Sequence, residues 1–340
     1  MRERMTDQVW ESGHPLARIA RAVLAPPGWA FGSLVWCRNA AYDRGWLRQH
    51  ALALPAIGVG NLTVGGTGKT PVSAWVASQL LELGATPAIV LRGYGGDELL
   101  VHARLNPRIS VIADPDRVRA AERARAGGAT VVVLDDGFQH RRARRDVDIV
   151  LLSADRFGPV RLLPAGPWRE PLSSLARAGV VVVTRKSASR IRARELLSHA
   201  LRFAPRASGA SVHLAADELV ACQTGESLRA SVLADAEVLA ISGIGTPRAF
   251  EAQLRAAGAR VTSASFGDHH RFGAADAASL ASRARGTTWV VCTLKDAVKL
   301  SAIWPREAPA LWYLSQRVFV ESGADVLQAV LARFAPRKAP

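Results

Sequence analysis

Short apolar runs alternate with amphipathic stretches along most of the chain. Residues 54–59, 88–91, 131–134, 149–152 and 180–184 are dominated by Val, Ile, Leu and Ala, without polar alternation. Strands buried on both faces of a parallel sheet have this signature. The stretches 70–83 and 116–126 carry apolar residues at helical spacing. Strand–helix alternation predicts an α/β fold built on a doubly wound, mostly parallel sheet. The first domain spans 51–207. Periodicity weakens from 208, so 208–236 reads as a strand-rich linker. It resumes with a strand at 237–241, a helix near 247–257, strands at 289–293 and 310–314, and a last helix near 323–334. A second, smaller α/β domain over 237–340 is expected.

The first 50 residues follow a different pattern. Leu16, Ile19, Ala20, Val23 and Leu24 fall at helical spacing, with Arg18 and Arg21 between them. Trp29, Phe31, Leu34, Val35 and Trp36 follow, then Arg38, Arg44 and Arg48. Aromatic and aliphatic surface interleaved with Arg suits a membrane interface, with rings at headgroup level and guanidinium groups on phosphates. A helical hairpin packed on the next domain is the other reading. No cleavable signal peptide is evident in the first 14 residues, which carry acids and lack a clean apolar run. The uncharged stretch 22–37 is shorter than the ~20 residues of a spanning helix, and Pro26-Pro27 interrupts it.

Composition narrows the class. Hydrophobic residues make up 49% and charged residues 21% of 340 residues, which excludes a disordered chain. The 44 basic residues against 29 acidic give a net charge of +15, implying an anionic partner: nucleic acid, an acidic membrane or a phosphorylated ligand. Nucleic acid is not expected, because no aromatic stacking platform, zinc spacing or recognition helix accompanies the charge. Cys37, Cys222 and Cys292 are far apart and odd in number, so three reduced, buried thiols are expected. No obligate protein partner is evident.

Candidate chemistry centres on Thr63, Val64, Gly65, Gly66, Thr67, Gly68, Lys69 and Thr70, between a predicted strand and a predicted helix. That is the context of a P-loop NTPase-like phosphate-binding loop. Glycines let successive N–H groups turn toward phosphate oxygens, and the following helix N-terminus adds partial positive charge. Lys69 would reach the β/γ-phosphates and the Thr70 hydroxyl would hold Mg²⁺. Thr63 stands where the usual pattern has its first Gly. The strand at 131–134 runs into Asp135-Asp136-Gly137-Phe138-Gln139-His140. Carboxylates at the C-terminal end of a buried strand can organise Mg²⁺, with Asp136 first and Asp135 second. ATP or GTP is the implied ligand.

The stretch 60–71, Arg92-Gly93-Tyr94-Gly95, the stretch 135–140 and Gly166-Pro167-Trp168-Arg169-Glu170-Pro171 occur in order. Ser242-Gly243-Ile244-Gly245, Asp268-His269-His270 and Lys295-Asp296-Ala297-Val298-Lys299 follow. Over nearly its whole length this series resembles the tetraacyldisaccharide 4′-kinase (lipid A 4′-kinase) family. The resemblance implies transfer of the ATP γ-phosphate, with Mg²⁺, to the 4′-hydroxyl of tetraacyldisaccharide 1-phosphate, forming lipid IVA. It implies an anionic glycolipid partner and peripheral contact with the cytoplasmic face of the bacterial inner membrane. The family's base, an Asp in a Gly-Asp-Glu-Pro segment, and its assisting His would be Asp97 and His269. Here Gly96-Asp97-Glu98 ends in Leu99 rather than Pro and follows Gly95 directly, so Asp114 and Asp116 stand as local alternatives. Arg92 and Arg169 would clamp phosphates bidentately. Gln139, His140 and Glu170 complete the expected substrate-binding set. Lys295 and Lys299 are either helix-end lysines or contacts to a substrate phosphate.

Overall fold

The structure, a computed structural model, describes residues 9–10, 12–93, 96–245 and 247–336. They form two compact units. The larger takes residues up to 93, 102–213 and from 318 onward; the smaller takes 94–101 and 214–317. The expected boundaries at 208 and 237 are sequential, whereas this partition is not.

The larger unit opens with α1 (Pro15–Asp43), a 29-residue helix that runs through Pro26 and Pro27. Each proline removes a backbone donor, so the carbonyls of Ala22 and Val23 lose their usual partners. Gly28 is buried where an added Cβ would lie 3.4 Å from the Ala165 Cβ. Leu16, Ile19, Val23, Trp29, Leu34 and Trp36 are exposed. So is Cys37, against the expectation of a buried thiol, while Cys222 and Cys292 are buried. Among the described residues, no helix is long and apolar enough to cross a membrane.

The sheet of this unit comprises β1 (Ala56–Asn61), β2 (Pro87–Leu91), β3 (Ser110–Ala113), β4 (Val131–Asp135), β5 (Val147–Ser153), β6 (Val180–Arg185) and the start of β7 (Ser208–Ala221). Their order is β3-β2-β4-β1-β5-β6-β7, all parallel. Helices α2 (Lys69–Glu82), the second half of α3 (Asp97–Leu105), α4 (Arg117–Ala126) and α5 (Arg190–Leu201) lie among the crossovers. β1 is buried at all six positions, which accounts for its unbroken apolar reading. Ala56, Ala88, Val90, Val132 and Leu134 form one core with Ala120, Ala121 and Ala124 of α4. By the pleat, Ile57, Ile89 and Val133 point to the opposite face, and α2 lies against β1, β2 and β4. Burial of each such Ile or Val stabilises the fold by roughly 1.5–3 kcal/mol.

The smaller unit holds β8 (Ser227–Arg229), β9 (Glu237–Ser242), α6 (Pro247–Ala256), β10 (Arg260–Ser265), α7 (Ala274–Arg283), β11 (Trp289–Thr293), α8 (Leu294–Leu300) and most of β12 (Leu311–Ser322). The order β10-β9-β11-β12 is parallel, and β8 pairs antiparallel with the second part of β7. The strand content expected over 208–236 is thus divided between units. The last helix, α9 (Ala324–Ala332), belongs to the larger unit and touches α2. Gly323 enters it at φ 73, with Gly209 and Ala210 against its Cα. Local periodicity cannot report such a return, because either sheet would satisfy the same apolar pattern.

Candidate active site

Two residue constellations carry the candidate chemistry, one in each unit. In the larger unit, β1 ends at Asn61, which is fully buried. Asn61 Nδ2 donates to Thr67 Oγ1 (2.7 Å), and Asn61 Oδ1 accepts from Lys69 Nζ (3.2 Å) and from Arg169 Nη2. A buried amide with both ends engaged fixes the loop around it. Thr184 Oγ1 at the end of β6 donates to the Thr67 carbonyl (2.9 Å), and Val64 N–H to the Pro167 carbonyl (2.8 Å). Gly65 and Gly68 have φ of 93° and 82°, conformations that favour glycine. Gly68 caps α2 without any side-chain hydrogen bond, and no acid lies in the first turn. The positive end of the helix dipole is therefore left for an anion. This geometry suits a phosphate cradle over residues 63–70, with the Thr70 side chain in the first turn.

β4 delivers the two acids in opposite directions. Asp135 is buried; its Oδ1 accepts from Ser73 Oγ (3.0 Å) and its Oδ2 meets His102 Nε2 (2.8 Å). Both its oxygens are engaged with side chains of α2 and α3, so Asp136 is the more open of the two candidate Mg²⁺ carboxylates. Asp136 turns the other way at φ 53, a costly conformation for a non-glycine residue. Arg169 holds it bidentately (2.8 and 3.0 Å), and Lys69 Nζ lies 3.6 Å away. Burial works to raise the pKa of Asp136, but Lys69 and Arg169 outweigh it and keep the carboxyl well below the usual range. Gly60 makes this turn possible. A Cβ there would lie 2.5 Å from Phe138 Cβ and 2.9 Å from its backbone nitrogen.

Gln139 Nε2 donates to the Asn61 carbonyl (2.8 Å), tying the same loop to β1. His140 is half-buried, and burial, with the positive fields of Arg117 and Arg145, lowers its pKa to about 4. Arg92 is exposed at the end of β2. Glu170, expected in the substrate-binding set, lies inside the fold. It is fully buried, and it accepts from Arg38 Nη2 (3.1 Å), Asn39 Nδ2 (3.1 Å) and Arg177 Nη2 (2.7 Å). A carboxylate saturated in this way braces the fold rather than contacting a substrate.

In the smaller unit, three sequence stretches converge on the first turn of α3. His269 Nδ1 lies 3.4 Å from Asp97 Oδ2, and Lys299 Nζ lies 3.8 Å from the same oxygen. Asp97 is nearly buried and His269 largely exposed. His269 adopts φ 54, and its N–H donates to the Gly243 carbonyl (3.1 Å). Asp296, fully buried, accepts from Gly243 N–H (2.9 Å) and Thr293 Oγ1 (2.6 Å) and pairs with Lys299 (3.3 Å). Lys299 also donates to the His270 carbonyl (3.1 Å). The two alternative acids are committed elsewhere. Asp114 forms a bidentate pair with Arg119 (2.8 Å twice), which lowers its pKa to about 2. Asp116 caps α4 through Val118 N–H (2.9 Å).

Asn61 and Asp296 were not among the expected site residues, and Lys299 was expected only as a helix-end lysine or a contact to a substrate phosphate. Asn61 and Asp296 have only a weak sequence signal: a polar residue beside an apolar strand. Tyr94 and Gly95 lie outside the described residues.

No group of three His, Cys, Asp or Glu with metal-binding geometry occurs among the described residues. The donors Thr70 and Asp136 nonetheless fit Mg²⁺, which is commonly held by one or two protein oxygens together with substrate phosphates and water.

Comparison with known proteins assigns the family. The family described as "Tetraacyldisaccharide-1-P 4'-kinase" matches residues 20–335. The tetraacyldisaccharide 4′-kinase of Anaeromyxobacter dehalogenans (strain 2CP-C) is 37% identical, covering 96% of this chain and 94% of its own length. That of Halorhodospira halophila (strain DSM 244 / SL1) is 38% identical, covering 92% of each. The crystal structure of LpxK from Aquifex aeolicus in complex with ATP aligns with a TM-score of 0.74 at 29% identity, covering 93% of this chain and all of that one. The chain belongs to the tetraacyldisaccharide 4′-kinase family.

Proposed function

We infer that the protein transfers the γ-phosphate of ATP to the 4′-hydroxyl of tetraacyldisaccharide 1-phosphate; its relatives are named tetraacyldisaccharide 4′-kinases, and the LpxK structure it resembles is a complex with ATP. One observation within the site carries the reading furthest: Asp97, His269 and Lys299 converge around a single carboxylate oxygen. Phosphoryl transfer needs little covalent chemistry from a protein; it needs positioning, charge neutralisation and an acceptor for the hydroxyl proton.

In this reading Lys69 and the N–H groups of residues 63–70 bind the phosphates. Thr70 and Asp136 would hold Mg²⁺, which would supply positive charge to offset that of the phosphates. Arg169 and Asn61 orient Asp136 and Lys69. Arg92 is a phosphate contact for the substrate, and Gln139 and His140 line the same loop. Asp97 takes the 4′-hydroxyl proton. His269 orients that carboxylate, and Lys299 provides its counter-charge.

The exposed apolar residues of α1 support peripheral contact with the inner membrane, where a glycolipid substrate resides. Arg18, Arg21, Trp29, Arg161 and Leu162 line a cavity of about 510 Å³ beside that helix, a suitable chemistry for an anionic amphiphile. The cytoplasmic face follows from the use of ATP.

The test is direct. Purified protein, Mg-ATP and the lipid in mixed micelles should give a phosphorylated lipid. ATP binding without product would overturn the assignment.

A further inference from the structure

The last turn of α1 bonds to both loops that shape the Asp136 site. On one side, Arg38 Nη2 and Asn39 Nδ2 donate to separate oxygens of the buried Glu170 (3.1 Å each). Glu170 directly follows Arg169, the bidentate partner of Asp136. Arg169 and Glu170 N–H groups both donate to the Leu62 carbonyl (2.7 and 3.4 Å), so this short segment is held at the root of the phosphate loop. On the other side, Arg141 Nη1 donates to the Asn39 carbonyl (3.0 Å) and Arg141 Nη2 to Asp43 Oδ1 (2.6 Å). Arg141 closes the loop that begins at Asp135. A third tie joins the two loops, because Arg177 donates to Glu170 (2.7 Å) and sits 4.3 Å from the ring centre of Phe138.

This arrangement exceeds what docking a helix requires. Exposed ion pairs add little, but Glu170 is fully buried, and losing Arg38 leaves Arg177 as its one cationic partner among the described residues. The position of Glu170 is therefore set by Arg38 and Asn39 together with Arg177, and the position of Arg169 follows. We propose that Arg38 and Asn39, acting through Glu170 and Arg141, are positioning residues that fix the Arg169–Asp136 pair for phosphoryl transfer. The proposal rests on the phosphotransfer reading above. It makes the helix with the exposed apolar face also the brace of the nucleotide site.

The test compares Arg38→Ala, the milder Asn39→Ala, Arg169→Ala and the double variant Arg38→Ala/Arg169→Ala. Turnover, KM for lipid and Mg-ATP affinity by calorimetry are measured on full-length protein, with thermal melts to establish folding. Arg38→Ala should lower kcat by about tenfold and leave the lipid KM within about twofold. Arg38→Lys, which keeps a donor, should recover part of the loss. In the Arg169→Ala background, Arg38→Ala should cost less than about twofold, because both act through one pair. Effects of Arg38 and Arg169 that multiply, or wild-type kcat in folded Arg38→Ala and Asn39→Ala, would overturn the proposal. If the wild-type chain phosphorylates no lipid, the phosphotransfer reading fails on its own. The same non-additivity, read in Mg-ATP affinity, then still decides the positioning claim.

Discussion

Gly60→Ala tests how the fold builds its site. The added Cβ would stand 2.5 Å from Phe138 Cβ and 2.9 Å from its backbone nitrogen. Ordinary carbon contacts begin near 3.5 Å, so the two segments must separate by about 1 Å. β1 pairs on both sides with β4 and β5 and cannot yield. The displacement therefore falls on the loop that carries Asp136 and Gln139. Overpacking of this kind costs about 1–3 kcal/mol, or roughly 2–4 °C of Tm per kcal/mol for a unit of this size. The protein should stay folded at room temperature. Misplacement of a site by about 1 Å can cost on the order of a hundredfold in rate. Steady-state turnover and differential scanning calorimetry on the same preparation read both effects. A kcat within about threefold of wild type, with an unchanged melt, would refute the claim that Gly60 is required for the close approach.

Asp97→Asn should lower kcat by about 10²–10⁴-fold with little change in KM for ATP, the range expected for loss of a general base; a wild-type kcat removes Asp97 from that role. Lys69→Ala should instead weaken Mg-ATP, measurable by calorimetry with no lipid present. His140 titrates near 4 in the fold and near 6.5 when unfolded, so between those values the unfolded chain binds more protons. Stability should then fall as pH drops from about 6.5 to 4, and His140→Gln should flatten that slope in urea melts. Leu34→Ala combined with Trp36→Ala, both exposed, should weaken binding to anionic vesicles by about tenfold or more in a flotation assay, without changing turnover in micelles.

Much of this was legible because the relevant signals are local. β1, β4 and β6 are buried on both faces, so their apolar runs survive in the sequence. The phosphate loop is contiguous, and Gly65 and Gly68 sit where φ is positive. Features that depend on distant partners were not legible. Glu170 reads as a polar loop residue, yet its environment is set by Arg38 and Asn39, 132 and 131 residues away. Asp135 and Asp136 are adjacent in sequence, and only the turn at Asp136 separates a braced acid from a site-facing one. Asp296 and Lys299 gain meaning only when α8 brings them to Asp97, which follows a run of two Gly residues with no helical signature before it. Seven of the 39 arginines were expected at the site or membrane; Arg141 and Arg177 now have structural roles, as partners of α1 and Glu170.

The central claim is tested most directly by the position of the transferred phosphate. Wild-type protein and Asp97→Asn are each incubated with Mg-ATP and tetraacyldisaccharide 1-phosphate, and the lipid is examined by phosphorus–proton correlation NMR. Wild-type protein should give a new phosphate coupled to the 4′ proton, nearly absent with Asp97→Asn. Phosphate on another hydroxyl, or equal product from both proteins, would contradict it.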